Sequence, residues 1–150
     1  MTKPTEDLTP FIHRAQNACF GCGPANPAGL QLEFFVRDDR SVVCPAIVPE
    51  RFDGLAGYLH GGIIATMLDE VMSKAVRARG RSGMTRHIEI DYLRPVRSKT
   101  PIRLEAHITH NEGRKHWVYG CVLDESGTEL ARGKALFLEA RPPESSGPPE

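Results

Sequence analysis

The chain has 150 residues, 40% apolar and 25% charged, a composition that fits one globular domain and excludes a disordered chain. Nineteen Lys and Arg balance nineteen Asp and Glu, so no net field draws the protein to nucleic acid or to an anionic membrane surface, and any anionic ligand must be held locally. No apolar run resembles a secretion leader or a membrane span, so a soluble, cytoplasmic protein with reduced thiols at Cys19, Cys22, Cys44 and Cys121 is expected.

Residues 1–10 are polar with two prolines, and 141–150 are rich in Pro, Ser and Gly. Both read as flexible tails around a single domain at 11–140. Leu30, Leu32, Phe34 and Val36 alternate with Gln31, Glu33 and Arg37, which predicts a first strand. Val42 to Val48 predicts a second, with Pro45 marking an edge or a bulge. A loop with Gly54 and Gly57 leads to His60-Gly61-Gly62, and there the period changes. Ile63, Ile64, Met67, Leu68, Val71, Met72, Ala75 and Val76 share one broad helical stripe, which predicts a helix over 61–78 that stops at Gly80 and Gly83.

Four strand patterns follow, carried by Ile88, Ile90 and Tyr92; by Ile102, Leu104, Ala106 and Ile108; by Trp117, Tyr119, Cys121 and Leu123; and by Ala131, Ala135 and Phe137. Asn111-Glu112-Gly113 and Asp124 to Gly127 supply hairpin turns. The order β-β-α-β-β-β-β with short links implies an α+β domain, a six-stranded antiparallel sheet wrapped around one central helix. Trp117 and Tyr119 are read as core. One helix leaves part of such a sheet uncovered, so a homo-oligomer is expected.

The chemistry concentrates in His60-Gly61-Gly62-Ile63-Ile64-Ala65-Thr66-Met67-Leu68-Asp69-Glu70. The first N–H groups of a helix lack intrahelical acceptors and lie at the positive end of its dipole, so they can bind an oxygen that gains charge in a transition state. The glycines equally suit a tight loop-to-helix turn. Asp69 falls at the border of the apolar stripe, near Ala65, Met72 and Val76, where a carboxylate is costly unless paired or used as a base or nucleophile. A structural bond to Ser73 or to a partner subunit is the alternative. Glu70, about 100° further round, reads as solvated and paired i,i+4 with Lys74. Cys19 and Cys22 lack a second Cys-x-x-Cys, so they read as a small-residue turn and no metal is expected. His87 and His107 fall on polar strand faces.

The segment HGGIIATMLDE resembles the helix motif of the hotdog-fold acyl-CoA thioesterase superfamily, in the branch with the phenylacetyl-CoA thioesterases and the mammalian thioesterase-superfamily members. Met84-Thr85, Asp91-Tyr92-Leu93-Arg94-Pro95, and Cys19-Phe20-Gly21-Cys22-Gly23 through Asn26-Pro27-Ala28-Gly29-Leu30 extend the likeness over about residues 19–139. It implies a hotdog domain that hydrolyses acyl-CoA. The Gly61 N–H would be the oxyanion donor, Asp69 the base or nucleophile, Thr85 a water-positioning hydroxyl from the neighbouring subunit, and His60 the residue that shapes the loop. Gly62, Ala65, Leu68, Met84 and Arg94 would contact substrate. Arg94, Arg97, Lys99 and Arg103, or Arg77, Arg79 and Arg81, could meet the CoA phosphates. No cofactor beyond the CoA of the substrate is implied, and the assembly would be a dimer or a dimer of dimers. Some relatives carry Asn or Gln six residues before the His, where this chain has Gly54. Acyl-carrier-protein thioester hydrolysis and a non-catalytic acyl-CoA-binding module are the competing readings; a dehydratase pairs its His and acid differently.

Overall fold

The computed structural model describes residues 6–141. The residues fall into β1 (Thr9–Pro10), β2 (Phe35–Val36), β3 (Val42–Ile47), a 3-10 turn (Glu50–Phe52), α1 (Gly61–Arg77), β4 (Met84–Tyr92), β5 (Pro101–Glu112), β6 (Lys115–Leu123) and β7 (Glu129–Leu138). All strands join one antiparallel sheet in the order β1-β2-β3-β5-β6-β7-β4. α1 packs against β3 to β7, so the domain has the hotdog arrangement. The expected helix is matched to within one residue, and the sheet has seven strands rather than six.

The difference lies at the N-terminus. The strand expected over 30–37 shrinks to Phe35–Val36, because Gln31 adopts a left-handed φ of +51° that no extended strand accommodates. Leu32 and Phe34 are still buried, so the alternation recorded burial without a ladder. Leu30 and Leu32 give their N–H groups to the Phe20 and Gly21 carbonyls instead. Thr9 and Pro10, assigned from sequence to the tail, pair with Val36 and Phe35. Of the expected tails, 1–10 and 141–150, residues 1–5 and 142–150 lie outside the described residues. Pro45 sits beyond the stretch of β3 that β2 covers, so its missing N–H faces an unpaired edge.

α1 buries Ile64, Met67, Leu68, Val71, Met72, Ala75 and Val76 on the sheet, the stripe its period predicted. Gly120 and Gly133, partners across β6 and β7, let the helix come close: a Cβ on Gly120 would stand 2.7 Å from the Met72 Cγ. The phase of β6 is opposite to that expected. His116, Val118 and Val122 are buried beneath the helix with Gly120, while Trp117 and Tyr119 are half-buried on the outer face. They are therefore not core. Both phases of β6 are rich in apolar residues, and only the tertiary partner selects between them.

Candidate active site

His60 caps α1. Its Nδ1 accepts the Gly62 N–H at 2.9 Å, and its carbonyl accepts the N–H groups of Ile63 and Ile64. The Ile64 bond is the first regular turn of the helix, and the His60 N–H goes to the Phe52 carbonyl at 3.0 Å, so with Gly62 and Ile63 three of the four orphan donors at the helix start are used. Among the described residues, the Gly61 N–H is the one left without an acceptor. The Tyr92 hydroxyl, from the end of β4, donates to the Gly61 carbonyl at 2.8 Å and pins the turn. Gly61, His60, Tyr92 and Arg94 line one cleft of about 650 Å³, with Leu59, Ile64 and Val96 among its apolar wall. From sequence Tyr92 carried only the strand alternation; the Tyr92-Leu93-Arg94-Pro95 strand end is the signal that points to it. A Cβ at Gly54 would meet the His60 Cα at 3.3 Å, so the loop six residues before His60 passes close to the cap.

Asp69 is half-buried, and its Oδ1 accepts the Thr85 hydroxyl at 2.5 Å. Thr85 was expected to meet the site from a neighbouring subunit; it is bound to the Asp69 of its own chain, because β4 begins alongside the middle of α1. Met84, beside it, is 79% exposed. Ala65 is half-buried one turn beyond Gly61. Leu68 was expected to touch substrate, but it is fully buried against β7 near Gly133, since its direction on the helix points into the sheet. Of the basic candidates, Arg81 and Arg103 are paired with Glu139 and Glu105, whereas Arg94 faces the cleft.

Asp69 and Gly61 do not meet within one chain. Asp69 is eight residue steps beyond Gly61, roughly 12 Å along the axis at about 1.5 Å per residue. A thioester carbonyl needs a donor about 3 Å from its oxygen and a base within one water of its carbon. Within one protomer the free donor at the helix start and the carboxylate–hydroxyl pair therefore stand two turns apart.

Glu70 is not solvated, as its surface-pair reading required. Its side chain is 15% exposed and that of Lys74 10%, with their charged atoms 3.6 Å apart. The N-terminal loop covers them. Cys19 Sγ donates to Glu70 Oε1 at 3.5 Å, and Lys74 Nζ donates to Cys22 Sγ at 3.4 Å. Burial pushes the Cys22 thiol up, the Glu70 carboxylate adds to this, and Lys74 opposes it. All four cysteines are free thiols. Among the described residues no helix is long and apolar enough to cross a membrane.

This architecture has known counterparts. Acyl-coenzyme A thioesterase THEM4 of Bos taurus is 29% identical over 123 residues, 79% of this chain and 50% of its own. The chain spans about half the length of the curated relatives it matches first. A solved thioesterase superfamily protein superposes with a TM-score of 0.77 at 26% identity, over 83% of this chain and 61% of that one. A hypothetical thioesterase of Streptococcus pneumoniae, solved with coenzyme A, has the same fold, with a TM-score of 0.64 at 18% identity over 67% of this chain and 78% of that one. That protein was also solved as an aspartate-to-alanine and a threonine-to-alanine mutant, at positions sixteen residues apart. The family model described as Thioesterase superfamily matches residues 56–131, just over half of the sequence, and the chain belongs to that superfamily.

Proposed function

We propose that the protein hydrolyses acyl-CoA thioesters to free acid and CoA, in sites that two copies of the chain build together. The observation that carries this reading is the pairing of the half-buried Asp69 carboxylate with the Thr85 hydroxyl, on the same helix as an unused Gly61 N–H. Asp69 acts as general base toward water, or as the nucleophile itself, and Thr85 holds the carboxylate in position and can hold the water. The Gly61 N–H, at the positive end of α1, stabilises the oxyanion. Thiolate leaves as CoA, and Arg94 at the cleft mouth meets its phosphates.

The two-copy arrangement rests on the distance along α1 and on the sheet edge. β4 ends the sheet with one neighbour, β7, and leaves nine residues of unpaired edge. Pairing that edge with its copy across a two-fold axis sets the two α1 helices antiparallel. Gly61 of one protomer then approaches Asp69 of the other. Trp117, Tyr119 and Leu136 on the outer face of the sheet offer a further surface on which dimers can pair into tetramers. The spacing of Asp69 and Thr85 is also sixteen, as between the two residues altered in the pneumococcal protein solved with coenzyme A. A cytoplasmic place in fatty-acid or aryl-acid metabolism suits this activity.

The test is hydrolysis of short, medium, long and aryl acyl-CoAs, with free CoA measured by chromatography. Turnover of one class that falls a hundredfold or more in Asp69→Asn supports the reading. Tight acyl-CoA binding without CoA release by the wild type would replace it with a binding module, and hydrolysis confined to acyl-carrier-protein thioesters would change the substrate.

A further inference from the structure

The cluster on the other side of α1 takes no part in this chemistry. We infer that Cys19 Sγ, Cys22 Sγ and a carboxylate oxygen of Glu70 bind a zinc-type divalent cation. These three ligand atoms lie within 4.8 Å of one another. Zinc–sulfur and zinc–oxygen bonds of about 2.3 and 2.0 Å at a tetrahedral angle place sulfur and oxygen about 3.5 Å apart. That is the separation between Cys19 Sγ and Glu70 Oε1. The chain has no second Cys-x-x-Cys, but the fold supplies a ligand 51 residues from Cys19.

The loop is shaped for this approach. The Gly23 N–H binds the Cys19 carbonyl at 2.8 Å, closing a turn that turns both thiols inward. A Cβ on Gly21 would stand 2.3 Å from the Glu70 Cγ, so only glycine lets the backbone pass this close to the carboxylate.

Without a cation the cluster is poorly satisfied. Glu70 Oε2 is buried with no hydrogen-bond partner, and Lys74 stands 3.6 Å away, outside bonding range. The recorded hydrogen bond of the Lys74 ammonium is to a thiol sulfur, a weak acceptor. Two thiolates, one carboxylate, one ammonium and one divalent cation sum to zero, whereas any thiolate without the metal leaves an uncompensated buried charge. In the metal-bound form the Lys74 N–H⋯S bond becomes a charge-assisted bond to a ligand, the outer-shell support that metal thiolates use. The fourth position falls to water or to His13, whose Nε2 is buried without a partner and which borders the same crevice as Cys22. The cation fastens the N-terminal loop to the helix that carries Asp69.

The test uses the full chain, purified with thiols reduced and reconstituted with zinc or cobalt. Metal analysis should give about one zinc per chain. Cys19→Ser and Glu70→Gln should lose it, while Cys121→Ser, in β6, and Asp69→Asn should keep it. Because the variants could fail to fold, the wild type is also read with Co²⁺, which should give thiolate-to-cobalt charge-transfer absorption that zinc displaces. A reduced wild type that takes up neither metal, or uptake unchanged in a folded Cys19→Ser, would overturn the inference.

Discussion

Asp69 and Glu70 are adjacent carboxylates on one helix, about 100° apart, and the structure gives them opposite surroundings. Asp69 faces the start of β4, where an exposed threonine hydroxyl is its hydrogen-bond partner and water has access. Glu70 faces the N-terminal loop, whose two cysteines close over it and over the buried Lys74 of the same helix. Helical phase decides only which neighbour each carboxylate meets. The chain brought to that neighbourhood decides whether it stays available for reaction or becomes part of the fold. The region around Asp69 is open; the region around Glu70 is closed and suited to holding segments together.

That contrast predicts a dissociation of effects. Asp69→Asn should lower turnover by roughly 10²- to 10⁴-fold, as loss of a general base does, and should leave the melting temperature nearly unchanged. Lys74→Ala should do the reverse. Removing one partner of a largely buried ion pair costs on the order of 3–5 kcal/mol, which denaturant titration would read as a lower midpoint with little change in KM of the folded fraction. If Lys74→Ala instead abolished turnover in a stable protein, the division between the two regions would fail. Thr85→Val should reduce kcat roughly ten- to a hundredfold, the equivalent of about 1.5–3 kcal/mol for a hydrogen bond to a charged group, without affecting stability. Gly120→Ala should cost about 1–3 kcal/mol through the clash with Met72, measured as a shift in unfolding midpoint with turnover retained.

Most of the framework was legible because it depends on local period. The 3.6-residue stripe from Ile63 to Val76 fixed α1 to within one residue, and the turns at Gly113 and Gly127, both with positive φ, fell where turn chemistry placed them. Helix-end rules announced unpaired N–H groups at the start of α1, whereas the choice of Gly61 among them and the loop-shaping part of His60 came from the resemblance. What the sequence misplaced depends on contacts distant in the chain. Trp117 and Tyr119 belong to a strand whose two phases are equally apolar, so alternation alone could not choose a face. Leu68 lies on the buried stripe by its period, and only the resemblance gave it a substrate contact. Glu70 and Lys74 have the spacing of any exposed i,i+4 pair, and nothing local announces that residues 19–23 will cover them. Thr85, read from the resemblance as serving a site between two subunits, meets the Asp69 of its own chain through the register of β4 against β7.

The central claim is that Gly61 of one protomer and Asp69 of another complete each site, and mixing two inactive variants tests it most directly. Gly61→Pro removes the free N–H at the first helical position, where proline is tolerated, and Asp69→Asn removes the carboxylate. Each homo-oligomer should be nearly inactive. Unfolding and refolding the two together should restore about a quarter of wild-type turnover, because half of the random dimers are mixed and each contains one intact site of two. A refolded mixture no more active than either variant alone would contradict a site shared between copies.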